Sequence, residues 1–160
     1  MEKNVPAYYE KIPERLKDRF LLYRADRLLT GIVFATYPVL LLYLLLARPQ
    51  LLFRTVMVPA VSLVLVTLAR RLIRRPRPFE QYAMVPLLKK DSGSGSFPSR
   101  HAFSAMMIAM CVMQVSLPLG LLYILLAVLI GAVRIIGGVH YLSDVLAGFA
   151  AAIVCGIILR

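Results

Sequence analysis

Residues 28–47 read LLTGIVFATYPVLLLYLLLA and include no charged side chain. A run of about 20 apolar residues is the length that an α-helix needs to cross a hydrocarbon core ~30 Å thick. Further apolar runs lie at 51–69, 102–117, 119–136 and 141–159, and 60% of the 160 residues are hydrophobic. The sequence therefore predicts an all-α integral membrane helix bundle with about five transmembrane helices.

The first 27 residues have a different composition. They alternate charged and bulky apolar side chains, a pattern typical of an amphipathic helix lying at the membrane interface. No cleavable signal peptide is apparent, so we expect the first apolar run to direct insertion. We predict two parts: an amphipathic N-terminal segment, 1–27, and a transmembrane domain, 28–160.

The net charge of +11 is concentrated in two places. Seven of the 19 basic residues lie in the first 27 positions, and five more lie in RRLIRRPR, residues 70–77. The second cluster has two interpretations: a topology signal beside a span, or a site for a lipid headgroup or phosphate. Because the charge flanks apolar spans, we do not take it as a nucleic-acid signal.

The last 60 residues contain very few ionisable groups: His101, Arg134, His140, Asp144 and the terminal Arg160. Charge in or beside a span costs at least a few kcal/mol and usually marks function. One such residue could simply join helices through a buried hydrogen bond. Four such residues in a coherent arrangement indicate a functional site.

With five spans, these groups fall on one side of the membrane. His101 opens the third span, Arg134 closes the fourth, and the 70–77 cluster closes the second. His140 and Asp144 open the fifth, and their spacing of four places them on one helix face within hydrogen-bonding reach. A carboxylate behind an imidazole fixes its tautomer and supports the positive charge that it acquires as a nucleophile or base.

This set of side chains matches the chemistry of phosphate. Guanidinium groups bind phosphate oxygens in pairs, and a helix that begins after Ser99 adds N–H groups and its dipole. A histidine backed by an aspartate can attack phosphorus, and a second histidine can protonate the departing alkoxide. The residues alone therefore predict phosphate-ester hydrolysis at a membrane surface.

Three motifs in this part of the chain resemble those of the type 2 phosphatidic acid phosphatase superfamily. Its members are integral membrane lipid phosphatases whose active site is related to that of vanadium haloperoxidases. The family pattern Lys-x6-Arg-Pro corresponds to RRLIRRPRP, residues 70–78. The pattern Pro-Ser-Gly-His corresponds to PSRH, residues 98–101, and Ser-Arg-x5-His-x3-Asp corresponds to VRIIGGVHYLSD, residues 133–144.

The resemblance implies a role for each matched residue. His140 is the nucleophile that forms a phosphohistidine, Asp144 positions it, and His101 is the general acid. The remaining matched residues hold the phosphate oxygens: Arg70, Arg77, Ser99, Arg100 (through its backbone N–H) and Arg134. The family reaction requires no metal or other cofactor.

The resemblance also implies a substrate and a location. The substrate is a phosphorylated membrane lipid, with phosphatidic acid, phosphatidylglycerophosphate and undecaprenyl diphosphate as candidates. We expect a multi-pass protein of the bacterial cytoplasmic membrane. The resemblance places the site on the outer face. The positive-inside rule favours the cytoplasmic face, because 16 of the 19 basic residues fall on the catalytic side.

Three positions depart from the family pattern. Arg70 replaces lysine, Val133 replaces serine and Arg100 replaces glycine. Arg100 has no family role as a side chain, and we expect it to add a contact to the headgroup. Two other functions are considered: a lipid-phosphate binding or transport protein without catalysis, and a serine hydrolase using Ser94, Ser96 or Ser99. The hydrolase is disfavoured because acyl transfer does not use several arginines.

Overall fold

The structure, a computed structural model, describes residues 7–82, 84–88 and 95–159, and within those ranges the regular structure is entirely helical. The first six residues, Ser94 and Arg160 lie outside the described residues. The helices, in chain order, are α1 (Ala7–Glu10), a 3₁₀ helix (Glu14–Lys17), α2 (Arg19–Ala47), α3 (Pro49–Ile73), α4 (Pro78–Gln81), α5 (Arg100–Met113), α6 (Leu117–Ile136) and α7 (Leu142–Ile157). The predicted bundle of five main helices is confirmed.

Within the described part of the chain, three stretches are long and apolar enough to cross a membrane: Arg19–Ala47, Pro49–Gln81 and Leu117–Ile136. The other two apolar helices, α5 and α7, have 14 and 16 residues. At 1.5 Å per residue they are about 21 and 24 Å long, shorter than a ~30 Å hydrocarbon core. α5 begins at Arg100, and α7 carries Asp144 in its first turn, so the predicted site lies at the N-terminal ends of the two shorter helices.

The N-terminal segment is helical in separate pieces. Pro13 precedes the 3₁₀ helix, and the side chain of Asp18 then caps α2 by accepting the backbone N–H of Phe20 at 2.8 Å and of Leu21 at 3.0 Å. This cap starts α2 at Arg19, nine residues before the predicted span. The boundary predicted at residue 27 therefore falls inside a continuous helix, and the break in the chain lies at Asp18.

The central element of the bundle is α5. Nine of its 14 residues are buried, and it packs against α2, α3, α6 and α7. By contrast, α2 buries only four of its 29 residues and exposes a largely apolar surface, as expected of a helix in contact with lipid. The N-terminal end of α5, which carries Ser99 and His101, is therefore surrounded by the other helices.

Gly148 lets α7 approach the beginning of α5. A Cβ atom at this position would lie 2.7 Å from the carbonyl oxygen of Ser99 and 3.1 Å from the backbone nitrogen of Phe103. Close by, the Ser99 N–H donates a hydrogen bond to the Asp144 carbonyl oxygen at 2.9 Å. The second and third sequence motifs are thus joined through backbone atoms, which a side chain at residue 148 would push apart.

We expect Gly148→Ala to destabilise the protein. The new methyl group meets backbone that cannot turn aside, and overpacking of this kind costs about 1–3 kcal/mol. Gly31→Ala is the matched control, because a Cβ at Gly31 in α2 meets nothing within 4 Å. Stability is compared by measuring the melting temperature of both variants in detergent. Equal melting temperatures would show that the contact between Gly148 and the start of α5 does not require glycine.

Candidate active site

Two buried arginines connect the first motif to the other two. Arg70, in the last turn of α3, is 1% exposed, and its Nη1 donates to the Pro98 carbonyl oxygen at 3.1 Å. Arg77, just before α4, is 2% exposed, and its Nη1 donates to the Val139 carbonyl oxygen at 3.3 Å. Each predicted phosphate-binding arginine is therefore held against a loop that carries predicted catalytic residues.

The second motif forms the start of α5. Ser99 is fully buried, and its Oγ accepts the Ala102 N–H at 3.4 Å as the N-cap of the helix. Arg100 and His101 follow in the first turn, and both are half-buried. The His101 ring contacts Phe34 of α2 edge to face, with 6.3 Å between ring centroids. The first turn of a helix presents backbone N–H groups and a positive dipole end, which suit an anion.

The third motif places a carboxylate beside a histidine. His140 and Asp144 are both fully buried, and His140 Nδ1 lies 3.5 Å from Asp144 Oδ2. The same Oδ2 accepts the Tyr141 backbone N–H at 2.9 Å. The sequence placed the pair on one helical face, but α7 begins at Leu142 and His140 lies in the preceding loop. The contact forms because Asp144 is the third helical residue and folds back over the cap of α7.

Arg75 is a residue of this cluster that the motifs did not assign. Its Nη1 donates to Asp144 Oδ1 at 2.9 Å and to Ser143 Oγ at 2.8 Å, and its guanidinium lies 4.0 Å from the centroid of the Tyr141 ring. The side chain is 35% exposed. The only sequence signal was its membership of the 70–77 cluster, because its partners lie almost 70 positions further along the chain.

Arg134 also has a partner that sequence reasoning missed. It lies in the last turn of α6, is 5% exposed, and its Nε is 3.0 Å from Asp26 Oδ1 of α2. Asp26 is 14% exposed and belongs to the predicted N-terminal segment. An ion pair in this low-dielectric position holds the arginine in place and connects α2 to the site.

The predicted site residues therefore gather at one end of the bundle. Hydrogen bonds run from the arginines of the first motif to the loops of the second and third, and from Ser99 to Asp144. Arg134 reaches the same loop through its carbonyl oxygen, which accepts the Val139 N–H at 3.3 Å. Arg100 and His101 join the site as the neighbours of Ser99 in the chain.

The environment of His140 favours its neutral form. Burial lowers the pKa of its imidazole below the usual value, the Asp144 carboxylate opposes that shift, and the positive charges of Arg77 and Arg70 add to it. Within the described ranges Nε2 has no hydrogen-bond partner. A buried polar atom without a partner calls for an explanation, and a ligand bound between His140 and the arginines supplies one.

We expect His140 to titrate below pH 6.5, so that its imidazole is neutral at pH 7 and gains a proton only in more acidic solution. The chain has only two histidines, so His101→Gln leaves His140 as the sole imidazole signal in an NMR titration of histidine-labelled protein. The reciprocal variant, His140→Gln, reports the half-buried His101 as a comparison. A His140 signal that titrates at or above pH 6.5 would show that burial does not control this group.

We expect Asp26→Asn to lower the free energy of unfolding by about 3 kcal/mol, because it removes the negative charge that lies 3.0 Å from the buried Arg134 guanidinium. Glu14→Gln is the control, since it breaks the Lys17–Glu14 pair, whose glutamate side chain is 87% exposed. An exposed pair of this kind contributes less than about 1 kcal/mol. Thermal unfolding in detergent compares the two variants, and similar melting temperatures would mean that the Asp26–Arg134 pair does not stabilise the fold.

Comparison with known proteins identifies the family. The sequence profile of the PAP2 superfamily matches residues 51–160. Among solved structures, LpxE from Aquifex aeolicus is 27% identical with a TM-score of 0.74, and the alignment covers 94% of this chain and 88% of that one. A transmembrane PAP2-type phosphatidylglycerolphosphate phosphatase from Bacillus subtilis is 20% identical with a TM-score of 0.70, covering 96% and 79% respectively. No curated protein sequence gave a significant match. Since the matched residues form more than half of the chain and include all three motifs, the protein belongs to the PAP2 superfamily.

Proposed function

We propose that this protein is a membrane lipid phosphate phosphatase that hydrolyses a phosphomonoester or diphosphate headgroup through a phosphohistidine on His140. The observation that carries the proposal is the state of His140. The ring is buried, burial lowers its pKa and so favours the neutral form, Asp144 faces one of its nitrogens, and the other has no partner among the described residues. Because Nδ1 faces the carboxylate, Nε2 is the nitrogen that holds a free electron pair for attack.

The reaction proceeds in two steps. In the first, His140 Nε2 attacks phosphorus, the bond from phosphorus to the leaving oxygen breaks, and protonated His101 gives that oxygen its proton. In the second, neutral His101 takes a proton from water as the water attacks the phosphohistidine, the P–N bond breaks, and orthophosphate leaves. The Asp144 carboxylate stabilises the positive charge on the His140 ring between the two steps.

The phosphate oxygens are bound by fixed positive groups. Arg70 and Arg77 approach from α3 and the turn that follows it, and Arg134 approaches from the end of α6. The Ser99 hydroxyl oxygen accepts the Ala102 N–H, which leaves its proton available for a phosphate oxygen. The Arg100 N–H and the α5 dipole complete the set. Three guanidinium groups and a helix N-terminus supply the charge stabilisation that a metal ion provides in other phosphatases, so we propose a reaction independent of metal.

Several features support a lipid substrate. A cavity of about 360 Å³ lies between α2, α3 and α5 and is lined by apolar side chains that include Phe34, Phe103 and Met107. Phe34 also contacts His101, the proposed acid. A lipid tail in the membrane can therefore reach the reacting phosphate, and the Bacillus subtilis relative is a phosphatidylglycerolphosphate phosphatase. Both solved relatives come from bacteria, and we propose the bacterial cytoplasmic membrane as the location.

The test is phosphate release by the purified protein in detergent with EDTA present, on phosphatidic acid, phosphatidylglycerophosphate and undecaprenyl diphosphate. We expect at least one lipid to be hydrolysed. His140→Ala should lower kcat by at least about 10⁴-fold, and His101→Ala by about 10²–10⁴-fold. Arg54→Gln is the control, because Arg54 is exposed near the other end of α3.

Labelled substrate tests the covalent step separately. Rapid quenching should trap phosphate on the wild-type protein and on His101→Ala, and none on His140→Ala. Hydrolysis that persists in His140→Ala would overturn the assigned nucleophile. Lipid binding without turnover of any of the three substrates would favour the non-catalytic binding or transport protein instead.

A further inference from the structure

A second basic surface lies beside the proposed phosphate site. A groove of about 550 Å³, which we call the arginine groove, is lined by Arg70, Arg71, Arg74, Arg75, Pro76, Glu80 and Gly95. Four of these lining residues are arginines, and one, Glu80, is acidic. Arg71 and Arg74 match no family motif, and both are exposed. The proposed chemistry at His140 uses neither of them.

The backbone at Arg74 is in an unfavourable conformation for an arginine. Arg74 ends α3 with φ 45° and ψ 36°, the left-handed region in which glycine or asparagine is usual. A residue with a Cβ atom costs roughly 1–2 kcal/mol in this region. The conformation is held by the Arg74 N–H, which donates to the Arg70 carbonyl oxygen at 3.1 Å, and by Nε, which donates to the Arg71 carbonyl oxygen at 3.0 Å. The turn therefore keeps an arginine side chain at the groove, at a position where glycine would be the less strained residue.

The chain that leads into the second motif packs directly on this turn. A Cβ atom at Gly95 would lie 2.9 Å from both Arg74 Cα and Arg75 N. The Ser96 N–H donates to the Arg75 carbonyl oxygen at 2.8 Å. Because residues 95 and 96 lie against the arginine backbone and run on to Ser99, the position of the groove is fixed relative to the phosphate site.

Two residues belong both to the arginine groove and to the proposed phosphate site. Arg70 lines the groove and also donates to the Pro98 carbonyl oxygen beside Ser99. Arg75 lines the groove and also binds Asp144, the partner of His140. The groove is therefore connected to the proposed phosphate site through these two arginines. A topology signal requires positive charge alone and explains neither the concave shape nor the strained arginine.

We propose that the arginine groove is a second anion subsite, which binds another phosphate group in the same headgroup as the scissile phosphate. The substrate class is then a lipid with two phosphate groups close together, such as a lipid diphosphate. Arg71 and Arg74 bind the second phosphate, since guanidinium groups bind such oxygens in pairs. Glu80 adds one negative charge at the edge, and its Oε2 is engaged by the Arg77 N–H at 2.9 Å. The substrate assignment rests on the proposed phosphatase function, whereas anion binding by the groove does not.

The first experiment measures binding without catalysis. Methylenediphosphonate, a diphosphate that the enzyme cannot cleave, and inorganic phosphate are titrated against the purified protein, with the melting temperature in detergent as the readout. We expect the wild type to bind methylenediphosphonate more tightly than phosphate. Arg71→Gln and Arg74→Gly should each weaken methylenediphosphonate binding by about tenfold and phosphate binding by less than about twofold, since each variant removes charge-assisted hydrogen bonds to the second phosphate alone.

The variants are chosen so that misfolding does not confuse the result. Glycine adopts the left-handed conformation of residue 74 without strain, so Arg74→Gly removes the guanidinium and keeps the turn. Arg54→Gln removes an exposed arginine from the opposite end of the same helix and should leave both affinities unchanged. Equal wild-type affinity for the two anions overturns the subsite. A variant that weakens both anions in the same proportion also overturns it, because that result reflects general attraction of anions to a basic surface.

A second experiment connects the groove to the substrate. The ratio of kcat/KM for a lipid diphosphate to that for the monophosphate with the same tail should fall about tenfold in Arg71→Gln and Arg74→Gly. If the protein hydrolyses both lipids and the ratio does not change, the subsite is wrong and the proposed function stands. If neither lipid is hydrolysed but the groove variants still lose methylenediphosphonate selectively, the proposed function fails and the anion subsite stands.

Discussion

Asp144 is the group on which the site depends most. Its carboxylate is fully buried and contacts the His140 ring, the Tyr141 N–H and the Arg75 guanidinium, while its backbone carbonyl accepts the Ser99 N–H. A buried carboxylate is stable only where several donors surround it, because removal from water costs more than one weak contact returns. The need to satisfy this one group therefore brings the arginine turn, the start of α5 and the start of α7 to a single place.

The apolar bundle makes those polar contacts strong. The outer helices expose apolar side chains, and the central helix α5 is buried along most of its length. In such surroundings water competes poorly for the buried groups, so ion pairs and helix dipoles act with little screening. The same low dielectric lowers the pKa of His140, so the position that the fold gives this ring favours its neutral form. The fold and the chemistry proposed for His140 thus have one physical cause.

The sequence was sufficient to predict the helices, and it named most of the polar residues that the structure brings together at one end of the bundle. The length of each apolar run between turns shows whether its helix can cross the hydrocarbon core. The spacing of the three motifs singled out Arg70, Ser99 and His140. Arg75 and Asp26 were missed for a different reason. Each forms an ion pair with a residue far away in the chain, and no local pattern records which of many charged residues will meet across the bundle. The residues assigned by motif are repeated features of a family, whereas these two pairs are decided by packing alone.

The boundary predicted at residue 27 and the start of α2 at Arg19 differ for a related reason. Charge density changes near residue 27, but helices begin where a side chain can cap the first N–H groups, and Asp18 does so nine residues earlier. As a result Asp26 lies within α2 and forms an ion pair with Arg134, so the charged part of that helix contacts the site. Composition thus located the membrane part of α2, whereas the capping side chain determined where the helix begins.

Two departures from the family pattern have a structural explanation. Val133 replaces the family serine and packs with Leu22 and Val139 in a small apolar cluster, so the lost hydroxyl is exchanged for burial of a branched side chain.

Arg70 replaces lysine and uses one of its nitrogens to hold the Pro98 carbonyl oxygen. A guanidinium has five N–H donors in a fixed plane, and a lysine ammonium has three on one atom. Arginine can therefore bind the loop before Ser99 with one N–H group and direct its other N–H groups towards a phosphate. A lysine ammonium carries all its N–H groups on one atom and cannot reach two separated acceptors in this way. The arginine at this position is consistent with a site whose second motif is held in place from α3.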